Sequence, residues 1–139
     1  MKHTAYVVPA HRHEPIQQIE VDDNFDFAEV IFKGVENSDK YVGMSSMRHA
    51  EVQFAYDDMG LYRSDALYNL NFRMMELCSL LYGVPATDIS PLVGTFIVMG
   101  LCPYSGETQD VPASVEVWVE LQKSHEQENQ QKEKDHESA

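Results

Sequence analysis

The run Leu92-Val93-Gly94-Thr95-Phe96-Ile97-Val98-Met99 is the stretch that most constrains this chain. It is almost continuously apolar and rich in β-branched and aromatic side chains, as suits a strand that is central in a sheet or buried on both faces. It falls well short of the ~18 apolar residues of a membrane span. Such a strand needs cover, and the patterning elsewhere supplies it. Thr4 to Val8, closed by Pro9, reads as a short strand. His11-Arg12-His13-Glu14-Pro15 reads as a connection, and Ile16 to Val21 as a second strand with Ile19 and Val21 on one face and Gln18 and Glu20 on the other. Asp23 or Asn24 is placed to cap a helix carrying Phe25, Ala28, Phe32 and Val35, with Glu29 four residues before Lys33 and Gly34 near its end.

Beyond a polar loop from Glu36 to Arg48, Glu51 to Tyr56 alternates as a strand, with Val52 and Phe54 pointing one way. Asp57-Asp58-Met59-Gly60 has turn composition, so Leu61-Tyr62 is expected to begin the return strand of a hairpin. Ser64-Asp65 is expected to cap the clearest helix, with Leu67, Leu70, Met74, Leu77 and Leu81 at helical spacing and Gly83 and Pro85 stopping it. Residues 111–121 fit either periodicity. Val115, Val117, Val119 and Leu121 alternate, but Val111, Val115, Trp118 and Val119 share a helical face with Pro112 in a first turn, and helix is the preferred reading. The fold class expected is α+β: one domain over residues 1–121, with a small mixed or antiparallel sheet packed against two or three helices.

A length of 139 residues suits one core, and the 43% apolar content is enough to build it without a metal or disulfide staple. From Gln122 to Ala139 no large apolar residue occurs, so a polar, disordered tail is expected there. The net charge is −13, of which residues 122–139 carry only −2, so the acidity belongs to the body. That balance argues against direct nucleic-acid binding through phosphate neutralisation, and against attachment to anionic lipid. The opening Met-Lys-His-Thr-Ala-Tyr-Val-Val-Pro lacks the apolar stretch of a signal peptide. Cys78 and Cys102 then read as free thiols, and a cytoplasmic location in a bacterial host cell is expected.

Three segments together resemble a known pattern: Tyr56-Asp57-Asp58-Met59-Gly60-Leu61, Asn69-Leu70-Asn71-Phe72-Arg73, and Pro91 to Gly100 with its Val93-Gly94-Thr95. They resemble a family of small uncharacterised domains common in bacteriophages, plasmids and their hosts, marked by an acidic-Gly-Leu turn, an Asn-centred motif and a Val-Gly-Thr strand ending in Gly. The opening strand with its Val-Pro ending also fits. The resemblance spans residues 3–121, with a longer helical segment (Leu67 to Tyr82) and a longer loop (Glu36 to Arg48) in this chain. It implies a fold and a mobile-element origin, and no reaction.

No cofactor or metal is expected. His11 and His13, candidate ligands together with His3, His49 and Glu14, flank Arg12 and match no zinc signature, so they read as a solvated loop. Cys78 reads as a small core residue, and Cys102 has no base that the sequence can show. Asp22-Asp23 and Asp57-Asp58 are adjacent carboxylates in an already acidic chain, and the second pair is explained by its turn. No phosphate-binding glycine loop occurs. With no catalytic constellation, the chain is not expected to be an enzyme.

Two binding readings are left. Glu14, Glu20, Asp22, Asp23, Asp26 and Glu29 lie between Glu14 and Phe32 without one base among them, and form an acidic partner-binding face. Such a field attracts basic surfaces and imitates a phosphate backbone, although high net charge also serves plain solubility. The expected function is therefore a non-enzymatic interaction protein of phage or mobile-element type, occupying the basic, nucleic-acid-binding site of a host protein such as a defence factor. The alternative is a small-ligand binder that sequesters a nucleotide-like signal through Tyr62, Arg63, Asn69, Asn71 and Arg73, types that hold a nucleobase and its phosphate. On the bland reading those arginines pair with nearby carboxylates. Trp118 or the Leu67 to Leu81 helix leaves a homo-oligomer open.

Overall fold

The computed structural model describes residues 1–35 and 39–137, with side chains described up to residue 128. Glu36 to Ser38 of the expected loop and the last two residues of the expected tail lie outside this range. Six strands form one antiparallel sheet: β1 (His3–Val8), β2 (Gln17–Val21), β3 (Val42–Met47), β4 (Val52–Asp57), β5 (Phe96–Leu101) and β6 (Thr108–Gln109). Their order is β2-β1-β5-β4-β3, with β6 pairing the end of β5. The apolar run is central as expected. Val98 lies opposite Tyr6 of β1 on one edge and Phe54 of β4 on the other, and all of β5 is buried.

Three helices complete the α+β domain: α1 (Phe27–Ile31), α2 (Phe72–Tyr82) and α3 (Ala113–Glu137). Strand alternation divides the core into two. Tyr6, Val8, Phe54, Phe96 and Val98 face α2 and α3, meeting Met74, Leu77, Val115, Trp118 and Val119. Ala5, Val7, Ala55, Ile97 and Met99 face the other way and are covered by Ile31, Phe32 and their neighbours. The second core is thinner because α1 has one and a half turns, capped by the Asp26 carboxylate rather than by Asp23 or Asn24.

Several local expectations are corrected. Leu61-Tyr62 is not a return strand. Both edges of β4 are already filled by β3 and β5, and Gly60–Tyr62 makes a 3-10 turn. The missing partner is β3, drawn from the expected polar loop, where Val-Gly-Met-Ser-Ser-Met lacks clear alternation. The helix expected from Ser64-Asp65 is two pieces. A 3-10 turn covers Ala66–Asn69, Leu70 is extended and bridges Val93, and α2 starts only after Asn71. Leu67, assigned to the core face, is 82% exposed.

Helix, the preferred reading for residues 111–121, is what forms, and it passes Leu121 without a break. Gln122 is buried and donates to Glu76 of α2, and Glu126 pairs with Arg73. The first turns of the polar segment are thus held on the body by α2.

Candidate functional site

The acidic surface is built along the β1–β2 hairpin. At its base, the Thr4 N–H donates to the Asp110 carboxylate and the Val111 N–H donates to the Thr4 carbonyl, which docks the approach to α3 beside the start of β1. Thr4 lies opposite Glu20 of β2. At the far end, Arg73 joins α3 to the hairpin connection. Its terminal nitrogens contact the Glu126 carboxylate at 3.1 Å and the carbonyls of Pro9, His11 and Glu14 at 2.8, 3.0 and 2.8 Å. The helix therefore runs the length of the hairpin, with Val115, Trp118 and Val119 inward and Glu116 and Glu120 in solvent. Burial raises the Tyr6 phenol above its ordinary value, and the negative fields of Glu116 and Glu120 raise it further. Both carboxylates thus act on the face of the sheet that carries Glu20.

Of the six acids in the expected face, Glu20, Asp22, Asp23, Asp26 and Glu29 follow one another from β2 through the turn into α1. Asp22 and Asp26 each accept a backbone N–H, from Asn24 and Glu29 respectively, which fixes the turn. Glu14 stands apart. It precedes β2 and is separated from Asp22 by the whole strand, about 17 Å at 3.4 Å per residue. Its side chain lies 4.0 Å from His13. The structure adds Glu116 and Glu120 beside Glu20, on the face of the sheet opposite α1, a contribution that sequence reading missed because helical and strand periodicity competed over residues 111–121. Lys123 tempers it by pairing with Glu120 at 3.7 Å.

The nucleotide constellation is divided. Tyr62, Arg63 and Asn69 line a polar cleft of about 680 Å³ at the end of the sheet where β1 and β4 finish. Asn71 and Arg73 lie in the interior, the latter 1% exposed. Asn71 caps α2 through Met74 N–H and donates to the carbonyls of Val8 and Gly94, while Arg73 holds the hairpin connection. Burial lowers the Arg73 pKa, opposed by Glu126. Arg63 clamps Asp57 with two hydrogen bonds, donates to the Asp39 carbonyl and lies over the Phe32 ring. That clamp raises its pKa. The cleft also contains the carboxylates of Glu14, Asp39 and Asp65 against Lys33, a balance that opposes a phosphate.

The histidines are dispersed. His11 and His13 stack at 5.6 Å, and His11 Nε2 lies 3.1 Å from Asn69 Oδ1. His3 faces Asp110, and His49 reaches the Leu81 carbonyl. Among the described residues no three metal-ligating side chains converge. Cys78 is buried and its thiol is pushed up to about 11 by that burial. Cys102 is partly exposed in the turn after β5. Its thiol is lowered by a hydrogen bond from Ser105, with further backbone bonds at Ser105 and Tyr104. No helix among the described residues is long and apolar enough to cross a membrane. No family model, curated protein or solved structure matches the chain.

Proposed function

We propose that this protein is a non-enzymatic interaction protein that binds a basic, nucleic-acid-binding surface of a host protein, such as a defence factor. The observation that carries this reading is the run of carboxylates, without a base among them, from β2 through its turn into α1: Glu20, Asp22, Asp23, Asp26 and Glu29. Glu116 and Glu120 on α3 add negative charge on the face of the sheet that carries Glu20. Spaced acids on an ordered scaffold present a partner with an array of negative charge comparable to a phosphate backbone. The sequence resemblance supports a mobile-element origin, and a bacterial cytoplasm as the place of action. The nucleotide reading has less support, because Asn71 and Arg73 spend their polar atoms inside the fold.

The test is retention of partner proteins from a bacterial lysate on the immobilised protein. Washes run from about 0.05 M to about 0.5 M salt, over which the screening length falls severalfold. Retention is expected to fall steeply with salt and to be lost when Asp22, Asp23, Asp26 and Glu29 are changed to Lys together. Retention indifferent to salt and to these reversals would refute the reading.

A further inference from the structure

The edge of the sheet opposite β2 has a different character. β3 is outermost there, and among the described residues no backbone hydrogen bond reaches it from its open side. Exposed edge strands in natural proteins are blunted by charge, proline or a bulge. Val42–Met47 contains no charge and no proline, its six residues pair with β4 in unbroken register, and Met44, Ser45 and Ser46 are exposed.

A cavity of about 580 Å³ lies against this strand. Its floor holds Phe54 and the stacked rings of Tyr56 and Phe96, 5.3 Å apart, and its far wall holds Tyr82, Ile89 and Leu92. Ser45, Ser46 and Met47 line it, and Ser45 and Met47 lie opposite Phe54 and Val52 on the face of the sheet that carries α2. The cavity therefore borders β3 on that face. Asp58 and Asp88 stand on it, both exposed, and no Lys or Arg lines it. The third carboxylate, Asp57, is clamped by Arg63.

We propose that β3 and this cavity bind an extended segment of a second protein, added as a further strand of the sheet. Its backbone pairs with the open side of β3 and an apolar side chain fills the space above Tyr56 and Phe96. Flanking lysine or arginine side chains face Asp58 and Asp88. Strand addition takes affinity from main-chain hydrogen bonds and specificity from pockets for alternate side chains, and both parts are present here. Charge selects the occupant. A second copy of this chain would bring a net −13 against −13 and its own Asp58 and Asp88 towards the same edge, whereas a basic segment is complementary. This surface is distinct from the carboxylates of β2 and its turn, which lie at the other edge of the sheet.

The probe is a fluorescent peptide of about nine residues that alternates lysine with valine and has a central phenylalanine. Two controls accompany it, one with glutamate for lysine and one N-methylated at alternate backbone nitrogens. The lysine peptide is expected to bind and to slow hydrogen exchange at Val42–Met47, with both controls weaker by about tenfold or more. Asp58→Lys with Asp88→Lys should weaken it by about tenfold, and Ser45→Trp, which fills the cavity, should abolish it. Asp22→Lys with Asp23→Lys should leave it unchanged, so that failure here is separable from failure at the β2 face. The two aspartates at the groove are exposed, so their variant decides the matter if Ser45→Trp does not fold. Equal binding of the N-methylated peptide, or protection elsewhere than β3, would overturn the proposal. So would concentration-dependent protection of β3 without peptide, which would assign the edge to a second copy.

Discussion

Asn71 shows how one side chain can hold several elements together. Its amide caps α2 and ties the ends of β1 and the approach to β5 through the Val8 and Gly94 carbonyls. Replacing it by alanine removes a helix cap and leaves buried carbonyls without partners. Asn71→Ala is expected to cost about 3 kcal/mol in urea unfolding. Asp65→Ala, at the position where sequence patterning places the helix start, should change stability by less than about 0.5 kcal/mol. Comparable losses in the two variants would contradict the structural assignment of the cap. The thiols make a second test at the same scale. Cys102 has its pKa lowered by Ser105 and Cys78 has its pKa raised by burial, so near neutral pH more of Cys102 is thiolate. Iodoacetamide followed by mass spectrometry should label Cys102 first and Cys78 only on unfolding. Ser105→Ala should move the pH dependence of Cys102 labelling upward, and an unmoved profile would exclude Ser105 as the cause.

At the scale of elements, what was legible in the sequence is what local pattern determines. The central strand announces itself by its continuous apolar run and the first two strands and β4 by their composition and alternation, and each is formed, whereas residues 111–121 fitted two periods and only the preference for helix is met. β3 does not announce itself, because in Val-Gly-Met-Ser-Ser-Met only Gly43 and Met47 are buried and Met44, Ser45 and Ser46 are all exposed, so neither its composition nor its burial has a clear period of two. The false start of α2 has another origin. Leu67 and Leu70 have helical spacing, but Leu70 is drawn into extended backbone by its bridge to Val93, a contact 23 residues away that no local pattern reports. In the candidate site, the acids of β2 and α1 were legible as a run without bases, whereas the inward use of Arg73 depends on where the hairpin connection folds back. Close packing between elements supplies a further prediction. A Cβ on Gly100 would collide with the Asp110 carbonyl where the chain crosses β5 on its way to α3. Gly100→Ala should therefore lower the melting temperature clearly, and also loosen the docking of α3 reported by Trp118 fluorescence. Wild-type stability in this variant would contradict the crossing.

For the whole molecule, the charge is large and the proposed function rests on its distribution. The two sheet edges differ in kind. Glu20 and the Asp22-Asp23 turn lie at one, while the other offers open backbone beside an apolar cavity. A protein kept soluble by charge alone has no need of that asymmetry. The most direct test is a residue-by-residue map of near-surface potential, from NMR relaxation with cationic and anionic paramagnetic cosolutes. The most negative potentials are expected at the amides of Glu20 to Glu29 and at Glu116 and Glu120. Values nearer zero are expected around Lys33, Lys40 and Arg12. Potentials equally negative around the whole surface would contradict a coherent acidic face and remove the basis for binding a basic partner through it.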